Sequence, residues 1–245
     1  MTLPRFFIDY VPDCDSITLT GDDAHHISRV LRMKSGEHLT ICDGMGTDYL
    51  CVLSETESGK AHCQIQDRAP SRGEPSTHVT LFMALPKGDK MDFIVQKAVE
   101  LGVHTIVPYL ALRCVSRPDG KALAKKIERW RKIAREAAQQ CGRGRVPAVL
   151  ECVDFCSAAE CCAKTEMPLF FYEMEQQTSV RTALGTHAFA SAGIMIGPEG
   201  GFEEEEAQMA RQCGLRSVSL GPRILRCETA PLAALTAVLY ESGNL

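Results

Sequence analysis

The fold class follows from residues 79–110, with the sequence VTLFMALPKGDKMDFIVQKAVELGVHTIVPYL, in which two apolar runs flank a helical segment. Residues 79–84 and 105–110 have the continuous hydrophobicity of strands that are buried on both faces. Between them, residues 91–101 carry apolar side chains at helical spacing, and Gly102 follows as a helix-ending residue. A strand–helix–strand unit of this kind predicts parallel strands covered by helices.

The same alternation continues to the C-terminus. Further strands are predicted at 168–172, 192–196 and 217–220, and further helices at 121–141, 202–213 and 231–240. Four glutamates, 203–206, begin one of these helices, where acidic side chains complement the helix dipole. The sequence therefore predicts an α/β domain with a largely parallel sheet.

The first 70 residues have a different pattern, with short apolar runs between turn residues. Strands are predicted at 6–8, 17–19, 39–41, 49–53 and 62–65, with one helix at 22–31. The segment 69–75, APSRGEP, is rich in Pro, Gly and Ser and has the composition of a linker. We therefore expect a small β-barrel-like domain at 1–72 and an α/β domain at 76–245.

Composition excludes several classes of protein. The 245 residues are 45% hydrophobic and 24% charged, as in ordinary globular proteins. No run approaches the roughly 18 apolar residues of a membrane span, and Asp9 interrupts the N-terminus before any signal-like run develops. We therefore expect a soluble, cytoplasmic protein without a membrane partner.

The chain has twelve cysteines, but they form no CxxC pair. Free thiols behaving as small hydrophobes are the favoured interpretation in an intracellular protein. The cluster at 152–162 holds four cysteines and is the one candidate metal site. Its spacing does not match the patterns of zinc sites, so no metal is expected.

Charge is unevenly distributed. The chain has a net charge of −4, yet residues 113–145 contain eleven basic and three acidic side chains. Such a block is typical either of a solvated helix face or of a surface that binds nucleic-acid phosphates. It ends in Cys141-Gly-Arg-Gly-Arg145, where two arginines lie in a glycine-rich loop, and arginine forks suit phosphate oxygens. This feature favours an RNA partner.

Two loops that follow predicted strands are the candidate ligand site. Residues 196–202 have the sequence IGPEGGF, and residues 220–231 have the sequence LGPRILRCETAP. Glycines let a backbone approach a ligand closely and expose its N–H groups, and parallel sheets bind ligands at the C-terminal ends of their strands. Neither loop contains GxGxxG or the GK[ST] of a P-loop, so a dinucleotide or nucleoside-triphosphate site is weakly supported.

In combination with other motifs, these loops resemble the RsmE family of SPOUT methyltransferases. The further motifs are PRFF at 4–7, HISRVLRMK at 26–34, KGDKMD at 87–92, QKAVELG at 96–102 and residues 136–147. The resemblance implies a PUA-like RNA-binding β-barrel followed by a SPOUT domain with a C-terminal trefoil knot, assembled as a homodimer. It also implies S-adenosyl-L-methionine as cofactor and methylation of N3 of a uridine in the decoding region of 16S rRNA, in the small ribosomal subunit.

The resemblance assigns cofactor binding largely to main-chain groups of the two loops. The implied residues are Ile196, Gly197, Pro198, Gly200, Gly201, Leu220, Gly221, Ile224, Leu225 and Arg226, with Tyr172 as a further candidate. Cys227 stands where the family pattern leads us to expect threonine or another small residue.

The chemistry of the reaction suggests roles for three residues of the second loop. A uridine N3 must lose its proton before it attacks, so a base, or cations at O2 and O4, are expected. Glu228 is the candidate base, and Arg226 and Arg223 are the candidate cations. The alternatives remain open: both arginines bind phosphate, while Glu228 caps the last helix or orients an arginine.

Five basic residues are expected to bind the rRNA: Arg5, Arg32, Lys34, Arg143 and Arg145. The alternatives are a solvated turn for Arg32 and Lys34 and a simple N-terminal charge for Arg5. Two other functions also fit the pattern. One is a non-catalytic rRNA-binding or ribosome-assembly factor, and the other is a SPOUT enzyme that methylates another RNA position.

Overall fold

The computed structural model describes residues 3–57, 59–185 and 188–245, which form two compact units. One comprises the chain up to Glu74 together with Ala138–Val146, and the other comprises Pro75–Ala137 together with Pro147–Leu245. The sequence assigns residues 138–146 to the second domain, whereas in the structure they pack with the N-terminal unit. The physical reasons are an ion pair between Arg143 and Glu74 and hydrogen bonds from the side chains of Arg5 and Cys42 to the carbonyls of Arg143 and Gly144.

The N-terminal unit is built on a five-stranded sheet, and every strand predicted there is present. Its elements are β1 (Arg5–Phe7), β2 (Ser16–Thr20), α1 (Gly21–His25), β3 (His38–Cys42), β4 (Thr47–Glu57) and β5 (Lys60–Pro70). The strand order is β1-β3-β4-β5-β2, with β1 parallel to β3 and the other pairs antiparallel. Buried and exposed residues alternate along β2, as expected for a strand with one face on the core.

The helix predicted at 22–31 is only partly regular. After α1 the chain continues as a π-helical turn, His26–Val30, in which the Leu31 N–H donates to the carbonyl of His26. The Ser28 hydroxyl donates to the Ala24 carbonyl at 2.9 Å, and so competes for an acceptor of the helix. Arg32 follows with φ of 53°.

The second unit contains a seven-stranded sheet in which every pair of strands is parallel. Its strands are β6 (His78–Ala84), β7 (Thr105–Leu110), β8 (Ala148–Val149), β9 (Val153–Asp154), β10 (Met167–Phe171), β11 (Ser191–Ile196) and β12 (Arg216–Val218). Its helices are α2 (Lys90–Leu101), α3 (Gly120–Cys141), α4 (Phe155–Cys162), α5 (Val180–Leu184), α6 (Glu204–Gln212) and α7 (Ala230–Glu241). The predicted α/β class with a parallel sheet is confirmed.

The order of the strands creates a crevice. The strand order is β12-β10-β11-β6-β7-β8, and β9 also pairs with β7. The chain passes from β10 to its neighbour β11 and then crosses back over β10 to reach β12. A reversal of this kind is the place where open α/β sheets bind ligands.

Local chemistry explains the boundaries of the elements. α2 ends at Gly102, whose φ of 108° needs a glycine, and a Cβ there would lie 2.8 Å from Cγ of Pro75. α4, which the sequence did not predict, begins where the Asp154 carboxylate accepts from the Ser157 N–H at 2.7 Å. α4 also carries three of the four clustered cysteines, of which Cys162 is buried and Cys156 and Cys161 are exposed.

Two further features concern possible partners. Among the described residues, no helix combines the length and the apolar character that a bilayer crossing requires. In the same part of the chain, no group of three or more His, Cys, Asp or Glu side chains is arranged to hold a metal ion.

Candidate active site

Three neighbouring strands end level with one another at the crevice. Phe171 of β10 lies opposite Ile196 of β11 on one side and Val218 of β12 on the other. The two loops predicted as a ligand site leave β11 and β12 here. Because β10 separates their strands, they start about 10 Å apart, which is twice the spacing of paired strands. We call 197–203 the first loop and 219–229 the second loop.

The space between the loops is a cavity of about 430 Å³. This volume lies within the range of small-molecule sites, about 300–1,000 Å³. All eleven residues predicted to bind a cofactor line it, as does Arg223. The other lining residues are Lys90, Phe171, Glu173, Glu199, Val218, Ser219, Cys227 and Ala230. Glu228 is not part of this lining, although its neighbour Cys227 is.

The base of the first loop is fixed by aromatic packing. The Tyr109 hydroxyl donates to the Ile196 carbonyl at 2.9 Å where β11 ends. Phe202 packs on Phe170, with the ring centroids 4.4 Å apart, and its ring fills the space beside Gly197. A Cβ on Gly197 would lie 2.8 Å from that ring, so the loop requires a glycine here.

The tip of the first loop is held by two charged side chains. Arg113 donates to both carboxylate oxygens of Glu203 and to the Gly200 carbonyl, each at 2.8–2.9 Å. The Glu173 carboxylate accepts from the Phe202 N–H at 3.0 Å. Gly201 has φ of 68°, and a Cβ on it would lie 1.8 Å from the Glu173 carboxylate. A side chain at 201 would therefore displace the Glu173 carboxylate from the Phe202 N–H and strain the backbone.

The four glutamates at the start of α6 stabilise the helix terminus, as predicted. Glu203 and Glu206 form a reciprocal capping box. Glu206 is buried and also accepts from the Leu112 N–H at 2.8 Å. Glu204 accepts from the Tyr172 hydroxyl at 2.9 Å, and this contact orients a lining residue of the cavity.

The second loop is more open. Its turn is closed by the Gly221 N–H, which donates to the Ser219 hydroxyl at 3.1 Å. Ile224 is 80% exposed, and Arg223 and Arg226 are exposed at the cavity. Among the described residues, neither arginine side chain has a hydrogen bond or an ion pair. Both charges are therefore available to an anionic ligand.

One lysine contacts both loops. The Lys90 ammonium lies 2.8 Å from Oε1 of Glu199 in the first loop and 3.3 Å from Oε2 of Glu228 in the second. It also lies 3.5 Å from Sγ of Cys227, whose thiol is 3.2 Å from Glu228. Glu228 thus contacts a lysine rather than an arginine. It does not cap α7, where Thr229 is the N-cap without a side-chain hydrogen bond.

These contacts shift several pKa values. The hydrogen bond to Glu199 raises the pKa of Lys90 above its usual value, and the interactions with Cys227 and Glu228 add to this effect. Burial alone would raise the pKa of Glu199, but hydrogen bonds from Lys90 and backbone N–H groups hold it below its usual value. Glu228 has a lowered pKa because its own backbone N–H, Cys227 and Lys90 donate to it. Burial raises the pKa of Cys227 to about 12, so the thiol stays protonated at neutral pH.

Two of the arginines predicted to bind RNA are engaged inside the N-terminal unit. Arg5 forms a two-point contact with Asp48 at 2.6 Å, and its side chain is 13% exposed. Arg143 forms a two-point contact with Glu74 at 2.8 Å, and its side chain is 4% exposed. RNA would have to displace a carboxylate to reach either guanidinium. The structure therefore uses Arg5 and Arg143 to hold this unit together.

The ion pair between Arg143 and Glu74 also bears on residues 69–75, which the sequence predicts to be a linker. Residues 69 and 70 belong to β5, and the Glu74 carboxylate also accepts from the backbone N–H groups of Gly144 and Arg145. The end of the segment is thus tied to residues 143–145. Arg32, Lys34 and Arg145 are exposed on the unit, as an RNA-binding role requires.

The sequence suggests that Lys90 either lines the cleft or opens a helix, and it leaves Arg113, Glu173 and Glu199 without an assigned role. Lys90 lies in the KGDKMD motif, and Arg113 is the first residue of the basic block. Glu173 directly follows a strand that ends at the same edge of the sheet. That position in the sequence was a usable signal. The contacts of Lys90 and Arg113 gave no such signal, because the residues they bind lie 87–138 positions away in the sequence.

Comparison with known proteins agrees with this arrangement. Residues 73–239 match the family described as the RNA methyltransferase domain, and residues 19–66 match the RNA methyltransferase PUA domain. The ribosomal RNA small subunit methyltransferase E of Bacillus subtilis is 34% identical over 252 residues, which cover 99% of this chain and 98% of that protein.

Two solved structures have the same fold over almost the whole chain. Ribosomal RNA small subunit methyltransferase E from Neisseria gonorrhoeae, bound to S-adenosyl methionine, has a TM-score of 0.86 and 33% identity and covers 97% of both chains. A Legionella pneumophila protein, in complex with the bound cofactor SAM, has a TM-score of 0.89 and 28% identity and covers 98% of both chains. With its PUA domain, its parallel α/β domain and its paired glycine–proline loops, the chain belongs to the ribosomal RNA small subunit methyltransferase E family.

Proposed function

We propose that the protein methylates N3 of a uridine in the decoding region of 16S rRNA, with S-adenosylmethionine as methyl donor. The observation that carries this proposal is the cavity between two glycine–proline loops at the reversal point of a parallel sheet. The names of the relatives support the small-subunit rRNA as substrate, and the donor bound to the two solved structures supports the cofactor.

The residues of the cavity fit this donor. Its walls include Ile196, Leu220 and Leu225, which suit an adenine ring, and backbone groups of both loops suit its polar edge. The carboxylates of Glu173 and Glu199 also line the cavity, and negative charge suits a cationic sulfonium. We assign donor binding to the eleven predicted residues from Tyr172 to Arg226. When bound, S-adenosylmethionine supplies an electrophilic methyl group on sulfur.

The second loop supplies the groups that act on the uridine. Arg226 and Arg223 are exposed cations at the cavity, and we assign them to the oxygens O2 and O4, where negative charge develops as N3 loses its proton. Glu228 is the proposed proton acceptor, because it is the one carboxylate in the second loop. Its lowered pKa makes it a weaker base, so the cations at O2 and O4 must make N3 more acidic. Its contacts with Lys90 and Cys227 both use Oε2, so the other oxygen is the proposed acceptor.

The N-terminal unit is proposed to hold the rRNA through Arg32, Lys34 and Arg145. These side chains are exposed, and cations there release counterions from the RNA backbone. We propose a functional division into an RNA-binding domain, 1–72, to which residues 138–146 are added, and a methyltransferase domain formed by the rest of 76–245. A homodimer, a C-terminal trefoil knot and a cytoplasmic location are further parts of the proposal, which rest on the family resemblance.

The direct test is methyl transfer to small ribosomal subunits that lack the modification. We expect label from S-adenosylmethionine in 16S rRNA and 3-methyluridine in the digested nucleosides. Donor binding without transfer would favour the assembly-factor alternative, and a 2′-O-methyl nucleoside would overturn the N3 assignment. Single-turnover methylation by the Glu228→Gln variant tests the base, since an unchanged rate would exclude that role.

A further inference from the structure

Three loops at the edge of the sheet meet at one ammonium group. Lys90 is the first residue of α2, which follows β6, whereas Glu199 and Glu228 follow β11 and β12. The Lys87 N–H adds a second contact from the β6–α2 segment to Glu199, at 3.0 Å. The two glycine–proline loops are therefore tied to a common point.

The first and second loops start on strands that β10 separates. Each loop is held separately by the segment that follows β10: the Phe202 N–H donates to Glu173, and Ser219 donates to the Thr178 carbonyl and accepts from the Val180 N–H. Among the described residues, Lys90 is the side chain that contacts both loops. The width of the cavity between them thus depends on the two contacts at 2.8 and 3.3 Å.

The contacts of Lys90 favour a positioning role over a chemical one. The ammonium contacts a carboxylate from each loop, Glu199 at 2.8 Å and Glu228 at 3.3 Å, so its charge is already engaged by the protein. Without this cation, the carboxylates of Glu199 in the first loop and Glu228 in the second would carry uncompensated negative charge. Their repulsion would separate the loops.

We propose that Lys90 is a positioning residue that locks the two glycine–proline loops at the spacing required to bind the methyl donor. The inference rests on the proposed function and adds a residue to its donor site. Lys90 acts through Glu199 and Glu228, and because it holds loops that line the donor cavity, its loss is read first in donor affinity.

The test compares the variants Lys90→Met, Lys90→Arg and Lys97→Met in the full chain. Lys97 is the matched control, because it pairs with Glu100 within α2 and does not line the cavity. Calorimetry gives the Kd for S-adenosylhomocysteine, and assays on unmodified small subunits give kcat at saturating donor. Thermal unfolding checks that each variant is folded.

We expect Lys90→Met to raise Kd about tenfold, a moderate effect because the Lys90 side chain is one-third exposed. Lys90→Arg keeps the charge and the donors, so Kd stays within about threefold of the parent value. Lys97→Met leaves both Kd and kcat unchanged, whereas in Lys90→Met the rise in Kd exceeds any fall in kcat at saturating donor. If Lys90→Met unfolds, Lys90→Gln serves instead, because it removes the charge and keeps a hydrogen-bond donor, with an expected Kd increase of about threefold.

Two outcomes would overturn the proposal. One is equal donor affinity in Lys90→Met and Lys97→Met, which would show that the contacts of Lys90 do not determine the width of the cavity. The other is a large loss of kcat with unchanged Kd, which would place Lys90 in the chemistry. Failure of the parent protein to bind S-adenosylhomocysteine is a separate result and would refute the proposed function instead.

Discussion

The first loop is held from outside at nearly every point, whereas the second is held mainly by its own backbone. Arg113 binds the Gly200 carbonyl, Glu173 binds the Phe202 N–H, and the Phe202 ring lies in an aromatic cluster. In the second loop Ile224 is exposed, and Arg223 has no partner among the described residues. The difference indicates that the first loop is a preformed wall of the cavity and the second loop an adaptable one. Substitutions in the two loops are therefore expected to have different effects on donor binding and stability.

The largest effect is expected from Gly201→Val in the preformed wall. A side chain there collides with Glu173 and requires a φ that valine avoids, so the loop must rearrange. We expect at least a hundredfold loss of affinity for S-adenosylhomocysteine and a loss of about 2–3 kcal/mol in the free energy of unfolding. Calorimetry and denaturant unfolding measure the two effects.

Gly214→Val is the matched control. Gly214 also has positive φ, 93°, but a Cβ there has no heavy atom within 4 Å and the residue does not line the cavity. It should lose stability and keep donor affinity. Equal donor affinity in the two variants would contradict the idea of a preformed first loop.

A somewhat smaller effect is expected from Arg226→Ala in the adaptable wall. If this cation stabilises charge on the uridine, kcat falls about a hundredfold while the fold is unaffected. Methylation of unmodified small subunits under saturating donor measures the change, with Arg181→Ala on α5 as a control that should match the parent. A loss confined to the KM for RNA would assign Arg226 to phosphate binding instead.

Removing the external support of the first loop should have an intermediate effect. Arg113→Met abolishes the contacts with Glu203 and Gly200, and we expect donor affinity to fall about tenfold. Arg131→Met is matched in exposure and also removes paired contacts, but it lies on α3 and does not line the cavity. Equal Kd values for the two variants, measured by calorimetry, would show that the first loop keeps its shape without Arg113.

The smallest effect is expected from Ile224→Ser. Because this side chain is exposed, the free energy of unfolding should change by less than about 0.5 kcal/mol. If the second loop closes over the donor, Ile224 becomes partly buried in the complex, and its loss weakens donor binding about threefold. Met45→Ser, an equally simple change at an exposed methionine of the N-terminal unit, is the control. A stability loss of several kcal/mol would mean that Ile224 is already packed in the free protein.

Regular elements with a clear hydrophobic period were predictable from the sequence, and those without one were not. β6 was predicted because its apolar run is long, and α2 because Gly102 marks its end. α4 was missed because it is only eight residues long and its buried face consists largely of small residues, Ala158, Ala159 and Cys162. Asp154 three residues before Ser157 was the available signal for its start.

The candidate site was predictable where it depends on backbone conformation. Glycines and prolines after strands mark the loops, so most of the loop residues that line the cavity were identified from the sequence. Side-chain pairing was not predictable in the same way. Arg143 and Arg226 have the same chemistry, yet Arg143 is buried against Glu74, 69 residues away, while Arg226 is exposed at the cavity. Only the folded chain distinguishes the two.

The most direct measurement is a crystal structure of the full chain soaked with S-adenosylhomocysteine. The account predicts density for this molecule between the two loops, in contact with backbone groups of both, with the contacts of Lys90 to Glu199 and Glu228 retained. Density for the molecule elsewhere on the chain, or none in the cavity at saturating concentration, would contradict it.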